Sequence, residues 1–227
     1  MTRANLLLGE GVMIGRVSVL LLICCLVACG EHQVKGEGPV VKEQRKLAPF
    51  DRVTVNGNYA VTFRHADHQS VVVAAQRNIL PLIETQVTKG KLVIRKASAG
   101  VVSSSQPIRI ALAGPECVFI HSYGSNRIVA QGLRGQNFTL KVKGAGEIVL
   151  SGAVASLDVI ANGSSAIHAK TLQAKRVDVL MAGAGVADVQ AKQALSARIG
   201  GVGQVSYAGN PKHVVSRVSG LARLRHV

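Results

Sequence analysis

The sequence predicts an all-β protein: a parallel β-helix-like solenoid of about six coils of ~20 residues, preceded by an antiparallel or mixed β region. Three observations lead there. A short phrase recurs, made of a glycine, one or two small residues, a variable residue and an apolar one. It reads Gly124-Ser-Asn-Arg-Ile128, Gly144-Ala-Gly-Glu-Ile148, Gly163-Ser-Ser-Ala-Ile167, Gly183-Ala-Gly-Val-Ala187, Gly201-Val-Gly-Gln-Val205 and Gly220-Leu-Ala-Arg-Leu224, with steps of 20, 19, 20, 18 and 19 residues between the first glycines. Such a period marks repeats that bury their apolar faces against their neighbours. Apolar residues alternate with polar ones on both sides of each glycine, the period of a strand with one face buried. Finally, 48% hydrophobic content with 3% aromatic residues, no Trp and 24 glycines suits short strands and tight turns better than helices. An antiparallel sandwich is the rival arrangement.

The first 29 residues are set aside as a targeting segment. Arg3 and Arg16 make a basic start, and Val17 to Ala28 is an apolar run too short for a membrane span, which takes ~20 residues. The run ends in Leu26-Val27-Ala28-Cys29-Gly30, which resembles a bacterial lipobox with Cys29 as the lipidated residue. An ordinary signal peptide is the alternative, and either Met1 or Met13 can be the start. Gly30 in place of Asp implies, by the rule for Gram-negative lipoproteins, delivery to the outer membrane. More than one acyl chain on Cys29 suffices for stable anchoring. Cys24 and Cys25 leave with the signal, so Cys117 stands alone, reading as a small core hydrophobe with no disulfide framework.

Removing Arg3, Arg16 and Glu10 leaves +14 of the formal charge of +15. No run of five Lys/Arg occurs and aromatic residues are too few for a base-stacking platform, so nucleic acid is not the expected partner. An exported, tethered chain of this charge meets anionic lipid, lipopolysaccharide or acidic polymer instead.

Residues 30–47 are polar and contain Gly and Pro, reading as a flexible tether. Residues 48–227 form the folded domain, with 48–115 as its N-terminal β region and 116–227 as the coils. In the former, Phe50, Val53 and Val55 lead to a turn at Asn56-Gly57-Asn58. Tyr59 to Phe63 and Val71 to Val73 are strands, and Ile79 to Ile83 is a bend. Thr85 to Ile94 is a hairpin about Lys89-Gly90, residues 97–106 are a mobile loop, and Pro107 to Leu112 is another strand. In the coils, the positions six, four and two before each glycine face inward: Val118, Ile120 and Ser122 first, then Phe138, Leu140 and Val142, and so on to Val214, Ser216 and Val218. Positions four and six after the glycine do the same, as in Ile128/Ala130 and Ile148/Leu150. The glycine supplies a corner that a Cβ would obstruct.

These repeats, with Phe50-Asp51-Arg52-Val53 near the start, Asn78-Ile79-Leu80-Pro81, and the late Tyr207-Ala208-Gly209-Asn210-Pro211, resemble the putative auto-transporter adhesin head GIN domain family from about Pro49 to the C-terminus. The resemblance implies a bacterial envelope domain of unknown function. The aspartate of the family's Gly-Ser-Gly-Asp-Ile repeat is here Arg127, Glu147, Ala166, Val186, Gln204 and Arg223, which removes the support for cation binding there.

Asp158 and Asp178 share a register, five before the glycine, and are expected to project outward one above the other at ~4.8 Å. Stacked acids are one route to acid/base chemistry; two solvated acids bridged by Lys141 or Arg198 are the simpler account. His65-Ala-Asp67-His68 reads as a hairpin tip rather than a metal site. No nucleophile elbow or phosphate loop is found. The outward column three before the glycine is His121, Lys141, Ile160, Leu180, Arg198 and Arg217, apolar in the middle and basic toward the end. Arg198 and Arg217 stacked together call for an anion, an acidic partner or solvent. Ile160 and Leu180 call for cover by the rest of the chain, or for a protein or oligomer interface. Lys212, Arg223 and Arg225 make the last coils basic, as a polyanion-binding face or as a charged cap on an exposed strand edge.

The sequence therefore reads as a lipid-anchored envelope protein without cofactor or metal, presenting a non-enzymatic surface for adhesion-like binding or assembly. Its expected partners are the membrane through Cys29, an anionic glycan or lipopolysaccharide, an envelope protein, or a second copy. The alternatives are a β-helix enzyme acting on anionic polysaccharide through Asp158 and Asp178, and a purely structural envelope protein.

Overall fold

The computed structural model describes residues 33–97 and 102–227, which belong to one compact unit, Gln33–Val227. Cys29 and the rest of the targeting segment lie outside the described residues. The unit is all-β. Its elements are β1 (Val34–Lys35), β2 (Val40–Gln44), β3 (Arg52–Gly57), β4 (Ala60–His65), β5 (Ser70–Gln76), β6 (Ile83–Thr88), β7 (Lys91–Lys96), β8 (Val102–Ser103), β9 (Arg109–Gly114), β10 (Phe119–Gly183), β11 (Val186–Gly201), β12 (Gln204–Ala208), β13 (His213–Val218) and β14 (Arg223–His226). The one helical turn among the described residues is 3-10, Leu80–Leu82, at the expected bend.

The extended run of 65 residues in β10 cannot be one straight strand. Positive-φ glycines, among them Gly124, Gly144, Gly163 and Gly183, fold it back on itself. The chain then returns in parallel register about one repeat later. Ala166 pairs with Val186, Val186 with Gln204 and Gln204 with Arg223 on one side of the corner; Val177 pairs with Leu195 and Leu195 with Val214 on the other. Two ladders result. One runs β6-β7-β3, then the stretches of β10 and β11 before each corner, then β13; the other runs β2-β5-β9-β4, then the stretches after each corner, then β12 and β14.

The glycines form columns because the backbone of the previous layer lies directly beneath them. A Cβ on Gly163 would sit 2.3 Å from the Gly144 carbonyl oxygen, and Gly163 has φ +122°. The second glycine of the Gly144-Ala-Gly146 phrase is buried by the same stacking: a Cβ on Gly146 would lie 2.5 Å from the Asn126 carbonyl oxygen.

Between the ladders lies an aliphatic core. Ile120, Phe138, Leu140, Val142, Leu157, Val159, Val177, Val179, Leu195 and Ile199 are buried as their register requires, as are Ile128, Ile148, Leu150 and Ile167 after the corners. A third buried set, Leu133, Val154, Leu172, Ala174 and Ala191, follows the second strand of each layer, and two strands per repeat do not account for it. Cys117 is buried in the same core. Val214, Ser216 and Val218 were expected inward but are exposed; among the described residues β13 pairs only with β11.

The N-terminal part departs from expectation in three ways. Residues 48–115, expected as an antiparallel or mixed β region before the coils, join the same parallel stack: β3 pairs with Phe119–Gly124 and β4 with Arg127–Gln131, both in parallel, and Gly57 lies under Gly124. The stack thus continues upstream through β7 and β9, and the antiparallel strands β6, β5 and β2 are added at its edges. The stretch expected to be a tether contains β1 and β2, and β2 pairs antiparallel with β5, since the outer edge of β5 would otherwise leave its backbone groups unpaired. In the expected loop, Val102–Ser103 pairs with Val34–Lys35, while residues 98–101 are outside the described residues. The β6–β7 hairpin turns at Lys89 (φ 49°) and Gly90 (φ 74°), the left-handed pair a tight hairpin needs.

Candidate binding face

The outward side of the first ladder carries most of the residues singled out from the sequence. Parallel, in-register strands place residues of one repeat position ~4.8 Å apart. Leu180 pairs with Arg198 and Arg198 with Arg217, so these three members of the expected column stand in register. His121 stands at its N-terminal end beside Thr54, and Lys141 and Ile160 hold the same repeat position between. Leu180 is 44% exposed, so the rest of the described chain does not cover it; Ile160 is half-buried. Arg198 and Arg217 are exposed, and among the described residues neither has an ion pair. Asp188 is the last carboxylate side chain of the sequence, with Lys192, Arg198, Lys212, Arg217, Arg223 and Arg225 after it. A basic field therefore gathers over the last layers, next to exposed Val202, Val215 and Leu221.

At the opposite end of the face is a cluster that sequence reasoning did not single out. Phe119, His121 and Tyr123 alternate along one strand and so project together. His121 and Tyr123 rings lie 4.0 Å apart at 33°, Phe119 meets His121 edge-on at 5.9 Å, and Lys141 Nζ lies 5.8 Å from the Phe119 ring centre. His121 and Tyr123 lie partly face to face, while Phe119 presents an edge to His121, the geometries aromatic pairs prefer. Burial, and then Lys141, Lys91 and Lys143, push the His121 pKa below its ordinary value, so the ring is neutral at pH 7. The period-two Phe-x-His-x-Tyr pattern was the available signal.

Asp158 and Asp178 also lie on this face. Asp158 is half-buried and Asp178 exposed, and Asp178 pairs in register with Ser196. Burial, and then the neighbouring Asp178, raise the Asp158 pKa, against a hydrogen bond with Thr139. The expected bridge from Lys141 or Arg198 is not made: neither acid has an ion pair among the described residues, because both cations belong to a neighbouring column.

His65 to His68 form the turn between β4 and β5, and among the described residues no group of three or more His, Cys, Asp or Glu could hold a metal ion. On the other ladder, His168 Nδ1 and Asp188 Oδ2 are 3.1 Å apart at paired positions. Burial pushes the Cys117 thiol up to about 12, so it is not a nucleophile at neutral pH. No helix among the described residues is long and apolar enough to cross a membrane.

A profile of the family described as "putative auto-transporter adhesin, head GIN domain" matches residues 49–211. The crystal structure of a putative adhesin from Bacteroides fragilis superposes with a TM-score of 0.71 at 17% identity, covering 86% of this chain and 100% of that one. A putative adhesin from Parabacteroides merdae superposes with a TM-score of 0.53 at 16% identity, covering 86% of this chain and 99% of that one. At these identities the likeness is one of fold. No curated protein matches the sequence significantly.

Proposed function

The chain belongs to the putative auto-transporter adhesin, head GIN domain family, and from that premise we propose that it is a lipid-anchored envelope protein whose β-solenoid displays a non-enzymatic binding face for an anionic polymer. In this reading the lipobox cysteine Cys29 carries the acyl chains that hold it at the outer membrane, and the parallel layers are successive coils. One observation carries the functional part: Leu180, Arg198 and Arg217 stack in register on the outside, with both guanidinium groups exposed and no carboxylate pairing with them among the described residues. Two like charges one strand spacing apart repel, and an anion bridging them relieves that repulsion. Lys141 extends the basic surface at the other end of the column, and Ile160 and Leu180 add an apolar centre suited to a partner with both characters, such as lipopolysaccharide or an envelope protein. The same exposed apolar centre suits assembly with a second copy.

The protein should be retained on immobilised lipopolysaccharide or an acidic glycan at low ionic strength, and Arg198→Ala/Arg217→Ala should reduce that retention. Equal retention of the variant would remove the reading. A second reading, hydrolysis or elimination of an acidic polysaccharide, is favoured only by the stacked Asp158 and Asp178 and the raised Asp158 pKa.

A further inference from the structure

The outer face of the second ladder, away from the binding face, holds a groove of about 650 Å³, within the range of small-ligand sites. Strand register defines it. One row crosses five strands as Lys42, Ala74, Arg109, Ala60 and Arg127, a cation alternating with alanine. The next row on the same face is Gln44, Val72, Ala111, Thr62 and Val129, apolar but for Gln44 at one end and the Thr62 hydroxyl. The small side chains form a floor and the long cations a rim. Arg127 is engaged by Glu147 at 3.5 Å, whereas Lys42 and Arg109 have no ion pair among the described residues. Glu43, next to Lys42, is engaged by Arg45 at 3.2 Å.

We propose that this groove binds a single-chain anionic amphiphile of the fatty-carboxylate type, its head over Ala74 between Lys42 and Arg109 and its tail along Ala111, Thr62 and Val129. The two free cations are two strands apart, about 10 Å between backbones, so both long side chains can reach one carboxylate. A small polar anion would leave the apolar row without a partner. An extended peptide would find no free backbone groups over the groove floor, because β5, β9 and β4 are each paired on both sides and the outer edge of β2 lies beyond Lys42. From the head over Ala74 to Val129 the groove crosses three strand spacings, about 14 Å, close to the depth of one acyl chain in a bilayer leaflet, about half the ~30 Å core.

Calorimetric titration with dodecanoate below its micelle concentration tests the assignment on the folded domain. Dodecanoate should bind, with dodecanol at least about tenfold weaker, since loss of a charged hydrogen-bond partner costs about that factor or more, and acetate at least about tenfold weaker, since it has no tail to bury. Lys42→Ala/Arg109→Gln should weaken dodecanoate by about tenfold or more, and Ala111→Glu, at an exposed position, should abolish binding. Arg198→Ala/Arg217→Ala should leave it unchanged, which separates this groove from the other face. Equal binding of dodecanol, indifference to both groove substitutions, attachment only to micelles or vesicles, or no binding would each overturn the proposal.

Discussion

Gly163 lies so close above Gly144 that a single added carbon would come within 2.3 Å of the Gly144 carbonyl oxygen. The repeat thus cannot accept a side chain at this corner without parting the layers. Gly163→Ala should lower stability by roughly 2–4 kcal/mol, combining positive-φ strain with the backbone clash. Gly114→Ala is the control, because a Cβ there meets nothing within 4 Å and its φ is not positive. In urea unfolding, the midpoint should fall for Gly163→Ala and stay nearly fixed for Gly114→Ala; comparable shifts would refute the stacking argument.

Lys141 acts on His121 through charge. The folded His121 pKa lies below its ordinary 6.5, first through burial and then through Lys141. Between the two values the unfolded chain binds a proton that the folded chain resists, so this group makes stability fall as pH drops through the region of 6.5. Lys141→Met should raise the His121 pKa partway toward normal in an NMR titration of the ring protons, leaving the burial effect. No movement would show that Lys141 does not act on the ring.

Asp158 shows the opposite sign for an acid. Its folded pKa is raised, so the folded state holds the extra proton and this contribution to stability is lost as pH rises through that value. Asp178→Asn removes the second cause and should lower the Asp158 pKa, as read by carboxyl carbon shifts. The same variant separates the enzymatic reading: turnover of an acidic polysaccharide by the natural protein, absent in Asp158→Asn/Asp178→Asn, would establish catalysis, and no turnover in either would exclude it for that substrate.

Cys29→Ser should move the full-length protein from the membrane fraction to the soluble periplasmic fraction, since the lipid is the proposed tether. Unchanged fractionation would contradict lipidation at Cys29.

The parts legible in the sequence were those in which one repeat position maps onto one column. Parallel, in-register stacking turns a step of 18 to 20 residues into adjacency, so Leu180, Arg198 and Arg217 could be assigned together and Phe138, Leu140 and Ile148 placed inward. Gly57 was legible as a turn, but its place under Gly124 was hidden because β5 to β9 intervene between them and break the period. Leu133 and Leu172 were missed because the third buried position is too short to show an alternation of its own. β2 was read as tether because Lys42, Glu43 and Gln44 carry little apolar signal; its place is set by the open edge of β5. The groove draws on five strands from Lys42 to Val129, and no local pattern in the sequence brings Lys42 and Arg109 together.

The central claim is that Arg198 and Arg217 bind anionic polymer. The direct measurement is the dissociation constant for lipopolysaccharide or an acidic glycan as a function of salt, for the natural protein and for Arg198→Ala/Arg217→Ala. Affinity should fall with rising salt, and the variant should bind about tenfold or more weakly at low salt with a shallower salt dependence. Salt-independent binding, or a variant with the same affinity and slope, would contradict the claim.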